Sequence, residues 1–513
     1  MLSLNLTSFN ASIRTFPYWR LSSLLSTSII NPEHNNLSKQ EESVIQNDDK
    51  YPKKEKVLQR NTIQQTEVSR ISQSSNKLQN RTNSFISLDE KIIKTTNTKD
   101  LIGIMNDPNI TIDQVKQIIS QISNLKPDVE KEKSTSASVD TKKDFVKMDT
   151  ISNIGFLPLS TPKIIQILKT LSYTNDRNVP LLKTLTYNIA MYSKKLNTRM
   201  CGDILYSLAV LNYPEEVLLE KIMSILREEL LANENGPVMG SIAMSLKLLK
   251  YKNYNVLDTI VLWANNNLEK LRFQDLTSIM GCLAMFGYIP KHMDNLQDYI
   301  NSLTPEITSN NQLWLDFVWS LTLLNRASKE QISSVLYHKF IERIINTRNI
   351  KSKINALKIL NINAAVRTIV KDYDGPYNKN RDLFSIVVEY KKQKLELIEA
   401  LSETLHQIHP LCFKTNINTH MGFNIDVESC VDSDNRLVKY VDSSPKNMRL
   451  VLMVHDYHDY SRGKEEILGM PKYYNDLLIA QGYRVLNVSY QNFSANDILA
   501  KRVKYLQDKI SSI

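Results

Sequence analysis

The sequence predicts a mainly α protein, a solenoid of helical repeats followed by a small α/β domain. Three observations lead there. Only 12 glycines occur in 513 residues, which disfavours glycine-rich nucleotide-binding and all-β architectures, while apolar residues recur at helical spacing. A leucine-bearing frame recurs every 37 to 40 residues through the middle of the chain. The C-terminal end alternates apolar and polar segments in the order strand, loop, helix, strand, helix.

Length leaves room for about two or three domains with substantial cores. A net charge of +10 and a pI near 9.1 permit a polyanionic partner without proving one. The four cysteines, Cys201, Cys282, Cys412 and Cys430, lie far apart and form no CxxC pair. That spacing points to isolated buried thiols in a reducing compartment and speaks against a zinc site or a disulfide framework. No metal or cofactor is expected. No apolar run reaches the ~18 residues of a membrane span.

Residues 1–32 hold seven serines, Arg14 and Arg20, scattered apolar residues and no acid, Glu33 being the first. That is the composition of a mitochondrial transit peptide, whereas a secretory signal would need an uninterrupted apolar core. The mature protein is therefore expected in the mitochondrial matrix. Residues 33–98 are rich in Asn, Gln, Ser and Lys and bury too little surface to offset chain entropy, so disorder is expected. Residues 99–125 read as a short helical pair broken at Asp107-Pro108, and 126–149 as a charged linker.

From 150 to 345 the chain repeats. The frames are Ile167-Leu-Lys-Thr-Leu-Ser-Tyr173, Ser207-Leu-Ala-Val-Leu-Asn-Tyr213, Ser245-Leu-Lys-Leu-Leu-Lys-Tyr251, Cys282-Leu-Ala-Met-Phe-Gly-Tyr288 and Ser320-Leu-Thr-Leu-Leu-Asn-Arg326. Their second position is always leucine: Leu168, Leu208, Leu246, Leu283 and Leu321. Amphipathic segments such as Pro214 to Leu230 lie between them. Helix pairs at this period stack into an α-solenoid, with the leucines and tyrosines as core and turn packing. The concave face of such a stack suits an extended polymer, either single-stranded RNA or a peptide. The charge balance, 19 Lys+Arg against 17 Asp+Glu over 150–345, does not separate the two.

An amphipathic helix through Leu395, Ile398, Leu401 and Leu405 follows, then a hairpin turning at Asp434-Asn435. At the end, Val451 to Val454 predicts a strand and Lys472 to Gln481 a helix stopped by Gly482. Tyr483 to Tyr490 predicts a second strand, and Asp497 to Ile510 a closing helix. This order over 449–507 resembles the RAP domain, an RNA-binding module whose fold is similar to that of PD-(D/E)xK nucleases. Leu313-Trp-Leu-Asp-Phe-Val-Trp-Ser-Leu-Thr-Leu-Leu324 with Val335-Leu-Tyr-His-Lys-Phe340 resembles the first region of the FAST kinase domain-containing proteins. Leu360-Asn-Ile-Asn-Ala-Ala-Val366 with Tyr373-Asp-Gly-Pro376 resembles their second, which would occupy 346–440.

The resemblance implies a mitochondrial RNA-binding protein that regulates stability and processing of organelle transcripts, with RNA and other RNA-processing proteins as partners. Kinase chemistry is not supported: the chain has no glycine-rich phosphate loop, His-Arg-Asp loop or Asp-Phe-Gly triplet. A metal-dependent endoribonuclease is the enzymatic alternative, with Asp456, Asp459, Glu465 and Glu466 as the available carboxylates. Against it, Ser489-Tyr-Gln-Asn-Phe493 stands where the family commonly has Pro-aromatic-x-Glu-Trp. Asn492 is a poor metal ligand, and Phe493 keeps an aromatic plug. The four acids then read as solvated loop residues, and His455 and His458 as polar loop residues without a third ligand. A protein-binding solenoid scaffold is the third reading. Candidate RNA contacts are Arg462, Lys464, Lys472, Arg484, Lys501, Arg502 and Lys504 for phosphates and Tyr490 for base stacking. For Lys501, Arg502 and Lys504 the alternative is the solvated face of the last helix.

Overall fold

The computed structural model describes residues 87–124 and 159–513, short stretches within them excepted. The expected transit peptide at 1–32, most of 33–98 and the linker at 126–149 lie outside these residues. Helix α1 (Leu88–Lys94), capped by Ser87, falls inside the segment read as disordered. It packs with α2 (Thr98–Ile104) and α3 (Ile112–Asn124), burying Ile92 and Leu101. Helix α2 ends at Ile104 and α3 begins at Ile112.

The repeat region consists of α4 (Thr161–Thr174), α5 (Val179–Tyr192), α6 (Thr198–Val210), α7 (Glu216–Glu229), α8 (Gly236–Leu249), α9 (Tyr254–Asn266), α10 (Phe273–Phe286), α11 (Asp294–Ser302), α12 (Asn311–Leu323), α13 (Lys329–Leu336), α14 (His338–Ile345) and α15 (Ile350–Thr368). Helices α4, α6, α8, α10, α12 and α15 stack in one row, and α5, α7, α9, α11 and α13 form the other. The framed segments end the helices of the first row, and a cap motif explains them. Leu208, Leu246, Leu283 and Leu321 are buried, and each carbonyl accepts the N–H of the frame's last residue (2.8–3.1 Å). That closure requires the residue between to be left-handed, and Asn212, Lys250, Gly287 and Asn325 all have φ from 46° to 54°.

The first frame is out of register by three residues. Its cap is built on Leu171, whose carbonyl accepts from Asp176 N–H, with Asn175 at φ 57°. Leu168 is one turn too early. Left-handed caps at 175, 212, 250, 287 and 325 then recur at 37, 38, 37 and 38 residues, more evenly than the frames suggest.

After α16 (Arg381–Phe384), α17 (Lys392–Ile408) leads into β1 (Phe413–Asn418), β2 (Asn424–Val431), β3 (Leu437–Val438) and β4 (Met448–His455). A crossover through α18 (Gly469–Ala480) reaches β5 (Arg484–Ser489), and α19 (Leu499–Ser511) closes the domain. The sheet order is β1-β2-β4-β5, with β3 beside β2; β4 and β5 are parallel and the rest antiparallel. Strand β4 exceeds the predicted Val451–Val454 because its ladder with β2 runs on to Met448 opposite Val431. It is buried on both faces. Leu450, Leu452 and Val454 meet Leu401 of α17 and Leu506 of α19, while Val451 and Met453 meet Tyr473 and Leu477 of α18. Phe493, 1% exposed, plugs the first of these cores. All four cysteines are free and buried, and burial pushes Cys201 and Cys282 up to about 12.

Candidate nucleic-acid interface

The α/β domain is clamped to the helical array at two successive repeat caps. Between β4 and α18 the chain forms a small hairpin closed by Ser461 N–H to Glu466 C=O (2.8 Å) and Leu468 N–H to Asp459 C=O (2.8 Å). Its tip lies on the cap that ends α8: Arg462 N–H donates to Lys250 C=O (2.7 Å), and Lys252 N–H donates to Arg462 C=O (2.9 Å). Beneath the tip, buried Lys252 forms an ion pair with Glu466 (2.7 Å), whose carboxylate also accepts from the Tyr254 hydroxyl. These two bonds, Lys252 first, hold the Glu466 pKa below its usual value. At the next cap, Gly287 meets Gly469, the first residue of α18. A Cβ on Gly469 would stand 2.0 Å from Ala284 C=O and 2.6 Å from Gly287 N. Only glycine fits there.

The asparagines of Leu360-Asn-Ile-Asn serve the same union. The Asn361 amide donates to Met421 C=O (2.7 Å) and accepts from Trp319 Nε1 (3.1 Å), while its carbonyl accepts from the Tyr473 hydroxyl (2.8 Å). Asn363 accepts the N–H of Asn378 (2.8 Å), pinning the Tyr373-Asp-Gly-Pro376 segment. The array and the α/β domain share these buried contacts through α12, α15 and α18.

The candidate RNA contacts do not form one patch. Arg462, Lys464 and Lys472 are exposed and gather around the dock, Arg462 and Lys464 on the hairpin tip and Lys472 beside Gly287. Arg484 begins β5 and donates to Asn435 of the β2–β3 turn (2.8 Å). Tyr490 lies at the other end of β5, roughly 20 Å along the strand, where its ring meets Tyr460 edge-on with centroids 5.5 Å apart. Lys501 and Lys504 are exposed on α19, Lys501 paired with Asp497 (2.7 Å). Arg502 is a correction: it is 6% exposed and donates to Ala400 C=O (3.0 Å) and Glu403 (2.7 Å), tying α19 to α17. Burial removes it from the surface that RNA could reach.

The acids beyond β4 also differ from the solvated reading. Glu465 is exposed; Glu466, its side chain 44% exposed, belongs to the clamp, and Asp456 is 5% exposed with its side chain accepting His458 N–H (2.7 Å). Asp456 and Asp459 line a pocket with Lys394, whose ammonium pairs with Asp426 of β2, a residue nothing in the sequence singled out. Asp426 is fully buried. Its Oδ2 accepts from Val454 N–H (2.7 Å) and faces Lys394 Nζ of α17 at 3.0 Å. Burial opposes the Lys394 charge, but Asp426 and then Asp459 outweigh it, and the pKa rises. Burial and the adjacent Asp459 push Asp456 up, whereas the His455 ring, 3.6 Å away, together with Lys394 overcomes burial and lowers Asp459. His458 is driven down to about 4 by burial and by Lys391 and Lys250. The ammonium of Lys394 thus sits where a divalent ion would meet Asp426. No group of three His, Cys, Asp or Glu among the described residues stands close enough to hold a metal. Asn492 is exposed.

A stacked helical array rigidly joined to a small α/β domain is the class of protein defined here. Two family profiles match it: "FAST kinase-like protein, subdomain 1" over residues 276–345, and "FAST kinase-like protein, subdomain 2" over 356–439. The first spans α10 to α14; the second runs from α15 through β3. FAST kinase domain-containing protein 4 of Homo sapiens is 20% identical over 363 residues, 67% of this chain and 57% of that relative. The Rattus norvegicus protein of that name is 18% identical over 363 residues, covering 67% and 58%. The Mus musculus one is 20% identical over 370 residues, with the same coverage of 67% and 58%. The chain therefore matches less than three-fifths of the length of these relatives. In the two profile segments the chain is similar to the FAST kinase-like family. Among the described residues no helix is long and apolar enough to cross a membrane.

Proposed function

We propose that this protein binds single-stranded RNA in mitochondria and controls the stability and processing of organelle transcripts without cutting them. The observation that carries the reading is the clamp. It fuses the helical array and the α/β domain into one body and leaves Arg462, Lys464 and Lys472 exposed around the joint. Cations on a rigid, extended surface neutralise successive phosphates, while unpaired bases remain free to meet the array. The composition of residues 1–32 and the family resemblance support the mitochondrial placement.

Asp456 and Asp459 in one pocket, with Asp426 behind Lys394, favour a second reading, a metal-dependent nuclease. The Lys394–Asp426 pair weighs against it, because metal-assisted hydrolysis needs carboxylate oxygens free to ligate. Crosslinking the protein to RNA in intact mitochondria and sequencing the bound fragments tests the RNA reading. Enrichment of organelle transcripts is expected. An empty library would leave a protein-binding scaffold as the better account.

A further inference from the structure

We propose that a groove across α8, α10, α12 and α15 is the pocket that takes one unpaired nucleotide of the bound strand; this rests on the RNA reading above. The cavity measures about 510 Å³, within the range of sites that enclose a small ligand. Each helix contributes one stripe. Gly240, Met244 and Lys247 face it from α8, Gln312, Asp316 and Trp319 from α12, and Lys351, Asn355 and Lys358 from α15. These spacings of three and four residues put each set on one side of its helix.

Charge separates this groove from the rest of the array, which is nearly balanced. It holds four cations, Lys247, Arg272, Lys351 and Lys358, against two carboxylates, Asp275 and Asp316. Both carboxylates are taken. Arg272 grips Asp275 with two bonds (2.8 and 2.9 Å), and Lys358 pairs with Asp316 while lying over the Trp319 ring. Among the described residues neither Lys247 nor Lys351 has an ion-pair partner. Lys247 crosses α10 at Gly281, where a Cβ would stand 2.8 Å from its ammonium. Burial draws its pKa below the usual value, with Asp316 only partly opposing. An anion at this spot would supply the missing charge.

The other walls suit a base. Met244 and Leu313 are half-buried and apolar, and Asn355 donates to Gln312 (2.7 Å), so that amides of two helices converge. Gln274 adds an exposed third. Side-chain amides hydrogen-bond the edges of unstacked bases, and lysines hold the phosphate. A free mononucleotide offers the same chemistry. An RNA strand is favoured because the groove is open across successive repeats, where the chain on either side of one nucleotide can continue.

The test uses the full chain and a fluorescent single-stranded RNA, titrated from 0.1 to 1 M salt, beside titrations with AMP. Lys247→Gln and Lys351→Gln are made singly and together; exposed Lys351 serves as the variant whose folding is not at stake. Two lost phosphate contacts flatten the log K against log salt slope by about 1.4, or about 25-fold in affinity at 0.1 M when the curves meet at 1 M. Photocrosslinking wild-type protein to 4-thiouridine RNA is expected to label peptides from α8, α12 or α15. Wild-type binding with unchanged slopes in both variants, or crosslinks confined to the α/β domain, would overturn the groove while leaving the RNA reading intact. No RNA binding by wild type, with or without AMP binding, would overturn both.

Discussion

Replacing Gly469 by alanine is expected to break the union of the helical array and the α/β domain. Its Cβ would lie 2.0 Å from Ala284 O and 3.0 Å from Gly287 Cα, and both are backbone atoms at a repeat cap. Restoring the 3.4 Å of ordinary contact moves the first turn of α18 by about 1.4 Å, since 3.4 − 2.0 = 1.4. Overpacking against movable side chains costs about 1–3 kcal/mol. Here neither surface can rotate away, so about 3 kcal/mol or more is expected on the same basis. Gly202, inside α6, is the control. A Cβ there meets Ile242 Cγ1 at 3.6 Å, an ordinary contact, and alanine gains up to about 1 kcal/mol of helix propensity. Urea unfolding followed by tryptophan fluorescence compares the two, because Trp263, Trp314 and Trp319 are buried in the array. Gly469→Ala should unfold at clearly lower urea than wild type, and Gly202→Ala at equal or higher urea. Equal midpoints for Gly469→Ala and wild type would refute backbone packing at the dock.

Three further outcomes follow from buried charges. Breaking a fully buried pair costs about 3–5 kcal/mol. Glu466→Gln should cost about 1–2, because Glu466 is 44% exposed and Lys252 keeps the Phe286 carbonyl. The lowered Glu466 pKa means its contribution is present above the usual carboxylate value and lost as pH falls through the folded one. Wild type should thus weaken in acid below about pH 4.5 more steeply than Glu466→Gln, measured by urea midpoints across pH. Lys394→Gln strands the Asp426 carboxylate in the interior and should cost about 3–5 kcal/mol in the same assay. Arg502→Ala should cost about 2 kcal/mol in stability and leave the salt dependence of RNA binding unchanged. A flatter slope in that variant would return Arg502 to the binding surface.

Local features of this fold were legible in the sequence, and long-range ones were not. The frame Leu-x-x-x-Asn/Lys/Gly-Tyr/Arg is visible because a helix-ending cap needs a buried leucine and a left-handed residue at fixed spacing. The first repeat misled because Leu168 and Leu171 both sit on the buried side of α4. Arg502 had a readable signal: it shares a stripe with Leu506 and Ile510, whereas its neighbours Lys501 and Lys504 point elsewhere. Lys394 and Asp426 come together only through the packing of α17 on the sheet, and no spacing announces a pair 32 residues apart. Glu466 is further still from the sequence's reach, since Lys252 lies more than 200 residues upstream. The groove across α8 to α15 escaped for the same reason, its charge excess being local while the repeats as a whole are balanced.

The central claim, binding without cutting, is tested most directly by incubating the purified protein with a labelled single-stranded transcript and magnesium or manganese, resolving binding and length together. The account predicts a retained complex with full-length RNA, whether or not metal is present. Metal-dependent shortening that disappears in Asp426→Ala or Asp456→Ala protein, with both variants still binding, would contradict it.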